Sequence, residues 1–528
     1  MVQVTTNKAL VLQRIPAREK MIWPTWWLDV ERKIIISPSG EQQILQSNVL
    51  SDVLEIAAQS NHQCVMVLGG DNAASGMREV WIKQPSSYGW HIVDQHRDRK
   101  IVIYEKEGKE VTLYSVSLWM ANVKDVETAR NGFYAAEHIL QQKFGENTYL
   151  LMTPTKVGRD IFHTHISYGH LYYVLGENDI QTLRTFVHQG RVETIHAIDD
   201  DITHIYELDA IFMYAACMSN LPIGECIHDE PKDSTPDMKV RYKPAFYRAT
   251  FTVPQGWHHI GLVNAANTGQ ENARATNQHY PNTPGDVITA WVSNEELYLA
   301  HAHGWNPIIH ERMIWLETES KRTSDPFEIW IKGLRDIRTQ AKLEAYGVYS
   351  PQIADIARGI ALSTLGGFNS HEIIQRGFTP ASEIDKMPAN TLTAVPYNRG
   401  IDWTVKRPSK VTRWTHPEWA MSAWGRARSR IAGMALKLPY ESIIAIRVDA
   451  IWTTANPEAL YDNKGIAVSA DKVQSKMLTA GYWRVKTDRN IHAKRPTTNA
   501  EFSQFQKQAR QQEMIQYDED IYQLEEVE

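Results

Sequence analysis

Asp209 closes the apolar run Ile205-Tyr-Glu-Leu-Asp209, and Tyr214 follows five residues later in Ala-Ile-Phe-Met-Tyr214-Ala-Ala-Cys-Met218. The run reads as a strand that delivers one carboxylate, then a turn and a helix that carries an aromatic ring. Metal-dependent nucleotidyl transfer needs an acid on a rigid strand end with such a ring just beyond it. An Asp and a Tyr at this spacing also arise by chance, so the pair requires partners. Arg338 and Lys342 stand four apart in a helical stretch, 326–347, that also holds Arg335. Two cations on one helix face can clamp a triphosphate or form a solvated basic face. His163-Thr-His165 and His301-Ala-His303 would each place two rings on one strand face, but neither has a third ligand nearby, and surface or core histidines account for them.

The elements that position these groups follow from periodicity. Lys100-Ile-Val-Ile-Tyr-Glu and Val111-Thr-Leu-Tyr-Ser-Val-Ser-Leu read as a hairpin around Glu107-Gly108-Lys109-Glu110. Ala129 to Phe144 reads as an amphipathic helix, and a helical run follows Thr153-Pro154. Leu221-Pro222-Ile-Gly224 is a turn, Phe246 to Pro254 alternates as a strand, and Thr289 to Leu297 passes from strand to helix. The Asn-, Gly-, Thr- and Pro-rich stretch 265–285 is a loop. A helix from Glu418 to Leu438 runs into the β-branched strand that begins at Ser442. Repeats are absent.

At 528 residues the chain predicts two to four domains or subdomains, and 43% hydrophobic with 22% charged residues is a globular composition. No apolar run reaches the roughly 20 residues of a bilayer span, so no membrane partner is expected; the first residues lack a signal-peptide pattern. Cys64, Cys217 and Cys226 form no metal-ligand spacing and suit a reducing cytoplasm, that of a host cell if the source is a phage. The net charge of −6 is concentrated at the end: residues 511–528 carry seven acids and no base, and without them the body holds 56 bases against 55 acids. That tail is either solvated or a mask for a basic groove. Residues 399–437 hold nine bases against Asp402 and Glu418, with Trp403, Trp414, Trp419 and Trp424 between them. The pattern fits a nucleic-acid surface, and equally a basic amphipathic helix with core tryptophans.

The Asp209–Tyr214 stretch resembles the first palm motif of family B DNA polymerases, Asp-x-x-Ser-Leu-Tyr-Pro. Ala357-Arg358-Gly-Ile-Ala-Leu362-Ser363-Thr-Leu365-Gly366-Gly-Phe368 resembles the second, Lys-x-x-x-Asn-Ser-x-Tyr-Gly-x-Phe, with Leu362 for the Asn and Leu365 for the Tyr. Arg447-Val448-Asp449-Ala450 resembles the third, Asp-Thr-Asp-Ser, with Arg447 for the first acid. Arg184 to Glu193 resembles the segment just before the first motif, and Gly481-Tyr-Trp483 with the basic run Arg484–Arg495 resembles the start of the thumb. Order and intervals are those of the compact, protein-primed phage, plasmid and organellar enzymes.

The resemblance implies an α+β fold: a right-hand palm, fingers and thumb with an N-terminal RNase H-like (exonuclease-like) domain. The expected divisions are 1–165 exonuclease-like and inactive, 166–325 palm with insertion, 326–370 fingers, 371–465 palm with a basic insertion, 466–510 thumb and 511–528 acidic tail. Asp29-Val-Glu31 has the Asp-x-Glu spacing of the family's exonuclease, but the later signatures are missing; Val65 to Asn72 matches poorly, and a surface Asp and Glu on a strand is the alternative. The implied function is templated addition of dNTPs to a primer 3′-hydroxyl. Asp209, Asp449 and the Ala210 carbonyl would hold Mg²⁺ or Mn²⁺, and Mg²⁺ often takes only one or two carboxylates from protein. Tyr214 would exclude the ribose 2′-hydroxyl, and Arg338, Lys342, Arg358, Ser363 and Gly366 would hold the nucleotide. Lys406, Arg407, Lys410, Arg413, Arg426, Arg430, Arg484 and Lys494 would contact DNA. A terminal protein could serve as primer. Arg447 would repel a metal, or pair with an acid and hold it away. The rival expectation is a polymerase-derived DNA-binding or scaffold protein without catalysis; an RNA polymerase or primase is disfavoured by Tyr214.

Overall fold

The computed structural model describes residues 25–509, apart from 46–48, 61–63, 70, 73–75, 78–81, 97–99, 122, 151–152, 166–174, 187–189, 219–220, 224–225, 237–242, 266–279, 316–325, 370–372, 389–390, 398–399, 408–413 and 458–482. The chain folds as two compact units, one from 1–171 with 329–415 and one from 172–328 with 416–528. Lys410, Arg413 and the acidic tail lie outside the described residues.

The first unit is built on a ten-stranded sheet. At one end Thr25–Asp29 pairs antiparallel with Ile34–Ile36 and parallel with Cys64–Leu68, which pairs parallel with Lys109–Ser115. Cys64-Val-Met-Val-Leu is apolar throughout because the strand lies inside the sheet, where both faces are covered. The expected hairpin is present as Ile101–Lys106 and Lys109–Ser115. Its turn is only Glu107-Gly108, both with positive φ (53° and 76°), the two-residue geometry that matches strand twist. The helix Val126–Phe144 starts where Asp125 accepts the Thr128 amide at 2.7 Å.

Residues 371–465 were expected to form palm with a basic insertion, and 443–453 do lie in the sheet that carries Asp209, but the segment before them does not. Instead Ile373–Pro380, Thr391–Tyr397 and Gly400–Arg407 extend this N-terminal sheet, joined where Phe378 stands opposite Ile92. Burial is the reason: Phe378 enters the core that holds Trp90, Ile92 and Tyr104, and Trp403 is buried with its Nε1 donating to Thr379 Oγ1 at 2.9 Å. Helix Pro154–His165 lies against helix Ser350–Phe368, and Gly158 makes the approach possible, since a Cβ there would overlap Thr364. His163 and His165 belong to that first helix and His301 to helix Asn294–Ala302, so neither pair shares a strand face; residues two apart on a helix diverge.

The second unit contains a five-stranded antiparallel sheet in the order Val192–Thr194, Ile443–Arg447, Ala450–Thr453, Asp201–Ala210, Trp483–Lys494. Trp483–Lys494, expected at the start of a thumb, is the edge strand beside Asp201–Ala210. It is held there by Ile491, buried with Ile202, Ile205, Ile444, Trp452, Phe502 and Phe505. A separate four-stranded sheet runs in the order Cys226–Asp229, Ile308–Trp315, Ala245–Thr252, Val287–Ser293, and packs Phe246, Trp291, Met313 and Trp315 with Ile180, Leu183 and Met421. Helix Pro417–Ala435 is buried along most of its length, and Trp419 and Trp424 are core residues rather than stacking platforms. Among the described residues no helix is long and apolar enough to cross a membrane.

Candidate active site

Asp209 is the penultimate residue of the strand Asp201–Ala210, which has two strands between it and the edge strand Val192–Thr194 and lies next to the other edge. Phe212 turns the chain through a left-handed conformation (φ 47°, ψ 43°), and Tyr214 follows on the short helix Met213–Cys217. Strand, turn and helix therefore occur where the spacing predicted them. The third motif is the turn of the hairpin Ile443–Arg447 and Ala450–Thr453. Val448 holds φ 57° at its tip and the Asp449 amide bonds back to the Arg447 carbonyl at 2.6 Å, a γ-type turn that is strained for a β-branched residue. Such strain persists only where the surroundings enforce it. Here the Val448 amide donates to the Arg191 carbonyl at 2.7 Å and the Ala210 amide donates to the Asp449 carbonyl at 2.8 Å.

The two acids are thereby brought together: Asp209 stands opposite Ala450, one residue from Asp449, on adjacent strands. Tyr214 joins them. Its hydroxyl lies against Gly190, where a Cβ would overlap it and press on Val448 as well. Burial pushes the Tyr214 hydroxyl well above its ordinary pKa, and the Asp449 charge adds to the rise. Asp209 is nearly buried and Asp449 half-buried.

Arg447, the residue that replaces an acid, is turned aside. Its Nη1 donates to Asn499 Oδ1 at 2.8 Å and its Nη2 to Thr194 Oγ1 at 3.1 Å, and the guanidinium sits 4.3 Å from the centre of the Phe502 ring. Thr194 belongs to the strand on the far side of Arg447 from Asp209, so the cation leans away from the acid. Burial lowers its pKa to about 10, against the pull of Glu193. The cation that does reach Asp209 is Arg484, its partner in strand register, with Nε at 2.9 Å and Nη2 at 2.8 Å from Oδ2. Lys486 likewise donates to the buried Glu207 at 3.0 Å.

Several residues behind the site had no role assigned to them from the sequence. Arg191, fully buried, bonds Glu193 through Nε at 2.8 Å and lies 4.0 Å from the Tyr280 ring centre. Arg428 pairs with Glu296 at 2.6 Å, and Glu296 in turn closes the capping box of helix Asn294–Ala302 with Ser293. A buried pair of this kind contributes little net stability but makes loss of one partner costly. The partners lie 132 residues apart, so only the tertiary fold could pair them.

The other expected site residues are placed as follows. Arg426 is engaged with Glu295 at 2.7 Å; Arg430 is exposed beside Cys217; Lys494 is exposed, 3.7 Å from Asp199. Lys406 and Arg407 lie on the strand Gly400–Arg407 of the first unit. Arg338 and Lys342 lie on helix Pro326–Lys342, which ends five residues short of the expected limit. On helix Ser350–Phe368, Arg358, Leu362 and Gly366 share one face, at spacings of four, with Arg358 and Gly366 exposed. Ser363 offers its carbonyl to Thr155 Oγ1 at 3.1 Å. Leu365 is buried in the helix core, not on that face.

The donor set at Asp209, Asp449 and the Ala210 carbonyl is all oxygen, which suits a hard cation such as Mg²⁺ that keeps several waters. Both bonds from Arg484 fall on one carboxylate oxygen of Asp209. Among the described residues no cluster of three or more His, Cys, Asp or Glu side chains offers a metal cage.

Residues 123–348 match the family DNA polymerase type B, organellar and viral. That segment, under half of the 528 residues, is similar to the family. The matched segment includes Asp209, Tyr214, Arg338 and Lys342 and ends before Asp449. No curated protein sequence matches the chain. The fold of this chain is similar to that of phi29 DNA polymerase complexed with primer-template DNA and incoming nucleotide substrates, with a TM-score of 0.57 and 15% identity over 90% of this chain and 88% of that one. It is also similar to the phi29 polymerase binary complex with primer-template DNA (TM-score 0.56, 16% identity, 88% of this chain and 84% of that one). A third likeness is to phi29 polymerase with single-stranded DNA (TM-score 0.55, 16% identity, 86% and 80%). The fold class is accordingly the α+β right hand with an RNase H-like N-terminal domain.

Proposed function

We propose that this chain is a type B, DNA-templated DNA polymerase that adds dNTPs to a primer 3′-hydroxyl and does not proofread. The observation that carries the reading is the meeting of Asp209 and Asp449 on adjacent strand ends, tied by the Ala210 amide, with the Tyr214 hydroxyl against the same hairpin. Asp209, Asp449 and the Ala210 carbonyl would hold Mg²⁺ or Mn²⁺, which would supply activation of the primer hydroxyl and charge stabilisation of the leaving pyrophosphate. The protein's own contribution is placement. The hairpin turn fixes Asp449, the sheet fixes Asp209, and Tyr214 forms a wall suited to excluding a 2′-hydroxyl.

Arg338, Lys342, Arg358, Ser363 and Gly366 are assigned to the triphosphate on the motif resemblance alone. Primer-template DNA and nucleotides are the partners found with phi29 polymerase, and they are the partners proposed here; a terminal protein as primer is proposed on the resemblance to protein-primed enzymes, and a cytoplasmic location on the three cysteines that lack metal-ligand spacing. The loss of the first third-motif acid to Arg447, and the grip of Arg484 on Asp209, favour one other reading: a polymerase-derived DNA-binding protein without catalysis. Primer extension with Mg²⁺ and with Mn²⁺ separates them. The wild type should extend, and Asp209→Ala and Asp449→Ala should each reduce extension by at least about a thousandfold. A wild type that binds primer-template without extending it would replace the first reading with the second.

A further inference from the structure

Arg484 and Lys486 lie on the edge strand of the palm sheet and place two cations on Asp209 and Glu207 of its neighbour. The two pairs differ in what their release would cost. The Glu207 side chain is 3% exposed, so withdrawing Lys486 would strand a buried carboxylate. The Arg484 side chain is 36% exposed, and it closes on the one carboxylate that the proposed reaction requires for a metal. Asp209, Asp449 and Arg484 together carry one net negative charge. A divalent ion would be balanced by the two acids alone and would leave the guanidinium without a counter-charge. The anion that the proposed reaction brings to this place is a phosphate, and a guanidinium bonds phosphate oxygens strongly.

We propose that Arg484 is a two-state phosphate-binding residue: it holds Asp209 while no divalent ion is bound and moves to a phosphate of the bound nucleic acid when one is. The inference rests on the polymerase reading above, because it takes Asp209 and Asp449 as the metal ligands. Metal draws the carboxylate from Arg484, and phosphate draws Arg484 from the carboxylate. Each therefore strengthens the other's binding by the same factor. Arg447 has no part in the exchange, since its two named bonds go to Asn499 and Thr194.

Mn²⁺ binding to the full chain, followed by loss of the free-ion electron paramagnetic resonance signal, tests this without turnover. Titrations are made with Mn²⁺ alone, with a 3′-dideoxy-terminated primer-template, and with a dNTP alone. In the wild type, primer-template should raise Mn²⁺ affinity about tenfold, within the usual range of coupled sites. A rise with the dNTP alone would instead assign the phosphate to the nucleotide and overturn the backbone assignment. Arg484→Gln should bind Mn²⁺ alone about tenfold more tightly than wild type and lose the coupling. Arg484→Lys should fall between the two. Lys232→Gln, which removes an exposed cation outside the site, should stay within about twofold of wild type for Mn²⁺ alone. Thermal melts confirm that each variant is folded. If Asp209→Asn and Asp449→Asn abolish Mn²⁺ binding while Arg484→Gln binds as wild type does, the exchange is refuted and the metal site stands. If those acid variants bind Mn²⁺ as well as wild type, the metal assignment itself fails.

Discussion

At the scale of single residues, the site depends on contacts too close to tolerate an added methyl group. Gly190 is there because the Tyr214 hydroxyl and Val448 occupy the space a side chain would need. Gly190→Ala should therefore displace the ring and the hairpin together, and a displacement near 1 Å costs about a hundredfold in rate. The clash is with the hydroxyl, so Tyr214→Phe in the same chain should restore part of the loss, as measured by single-nucleotide extension rates in a double-mutant cycle. A cycle with no rescue would place the clash elsewhere. Asp209 and Tyr214 were legible in the sequence because strand, turn and helix are local patterns. The partner of Asp209 was not. Arg484 follows it by 275 residues and reads in the sequence as a DNA contact in a basic run, not as the partner of an acid.

Among elements, the edge strand Trp483–Lys494 is the one whose place decides the chemistry. Its resemblance was to the start of a thumb, yet the register with Asp201–Ala210 makes it part of the five-stranded sheet and brings Arg484 to the acid. Just past its end, the buried Arg495 donates to Asp200 at 2.5 Å through Nε and 3.2 Å through Nη2. That guanidinium holds the Asp200 carboxyl below its ordinary pKa. A carboxyl depressed in the folded state contributes stability above its unfolded pKa of about 4 and loses it as the pH falls through the lower folded value. Urea midpoints should accordingly fall between about pH 5 and pH 3, and the fall should be shallower in Asp200→Asn. An equal slope in both proteins would remove Asp200 from the account. On helix Ser350–Phe368 the periodicity alone separates the two motif departures. Leu362 shares the Arg358 face, whereas Leu365 is three residues before the helix end and turned into the core.

For the molecule as a whole, the division into units is not the division along the chain. Residues 373–407 complete the N-terminal sheet although they follow the first two motifs in sequence. Within that sheet Asp29 is buried at a strand end, not on a surface, and its Oδ1 accepts the amides of Glu31 at 3.1 Å and Arg32 at 2.9 Å. A carboxylate oxygen committed to its own turn is poorly placed to hold a metal for nuclease chemistry. Degradation of single-stranded DNA by the wild type should thus be no faster than by Asp29→Asn, and a mismatched primer end should persist; faster loss in the wild type would restore an exonuclease.

The sequence by itself determined the family motifs, the strand that carries Asp209, the helix that carries Tyr214 and the hairpin of Ile101–Ser115, because each is written within one or two turns of backbone. Only the tertiary structure decided which charges meet. It turned Arg447 toward Thr194 and Asn499, set Arg484 on Asp209, and spent the tryptophans of 403–424 largely on cores. Strand pairing and burial join residues hundreds of positions apart, and composition along the chain cannot say whether a given cation faces a phosphate or a carboxylate.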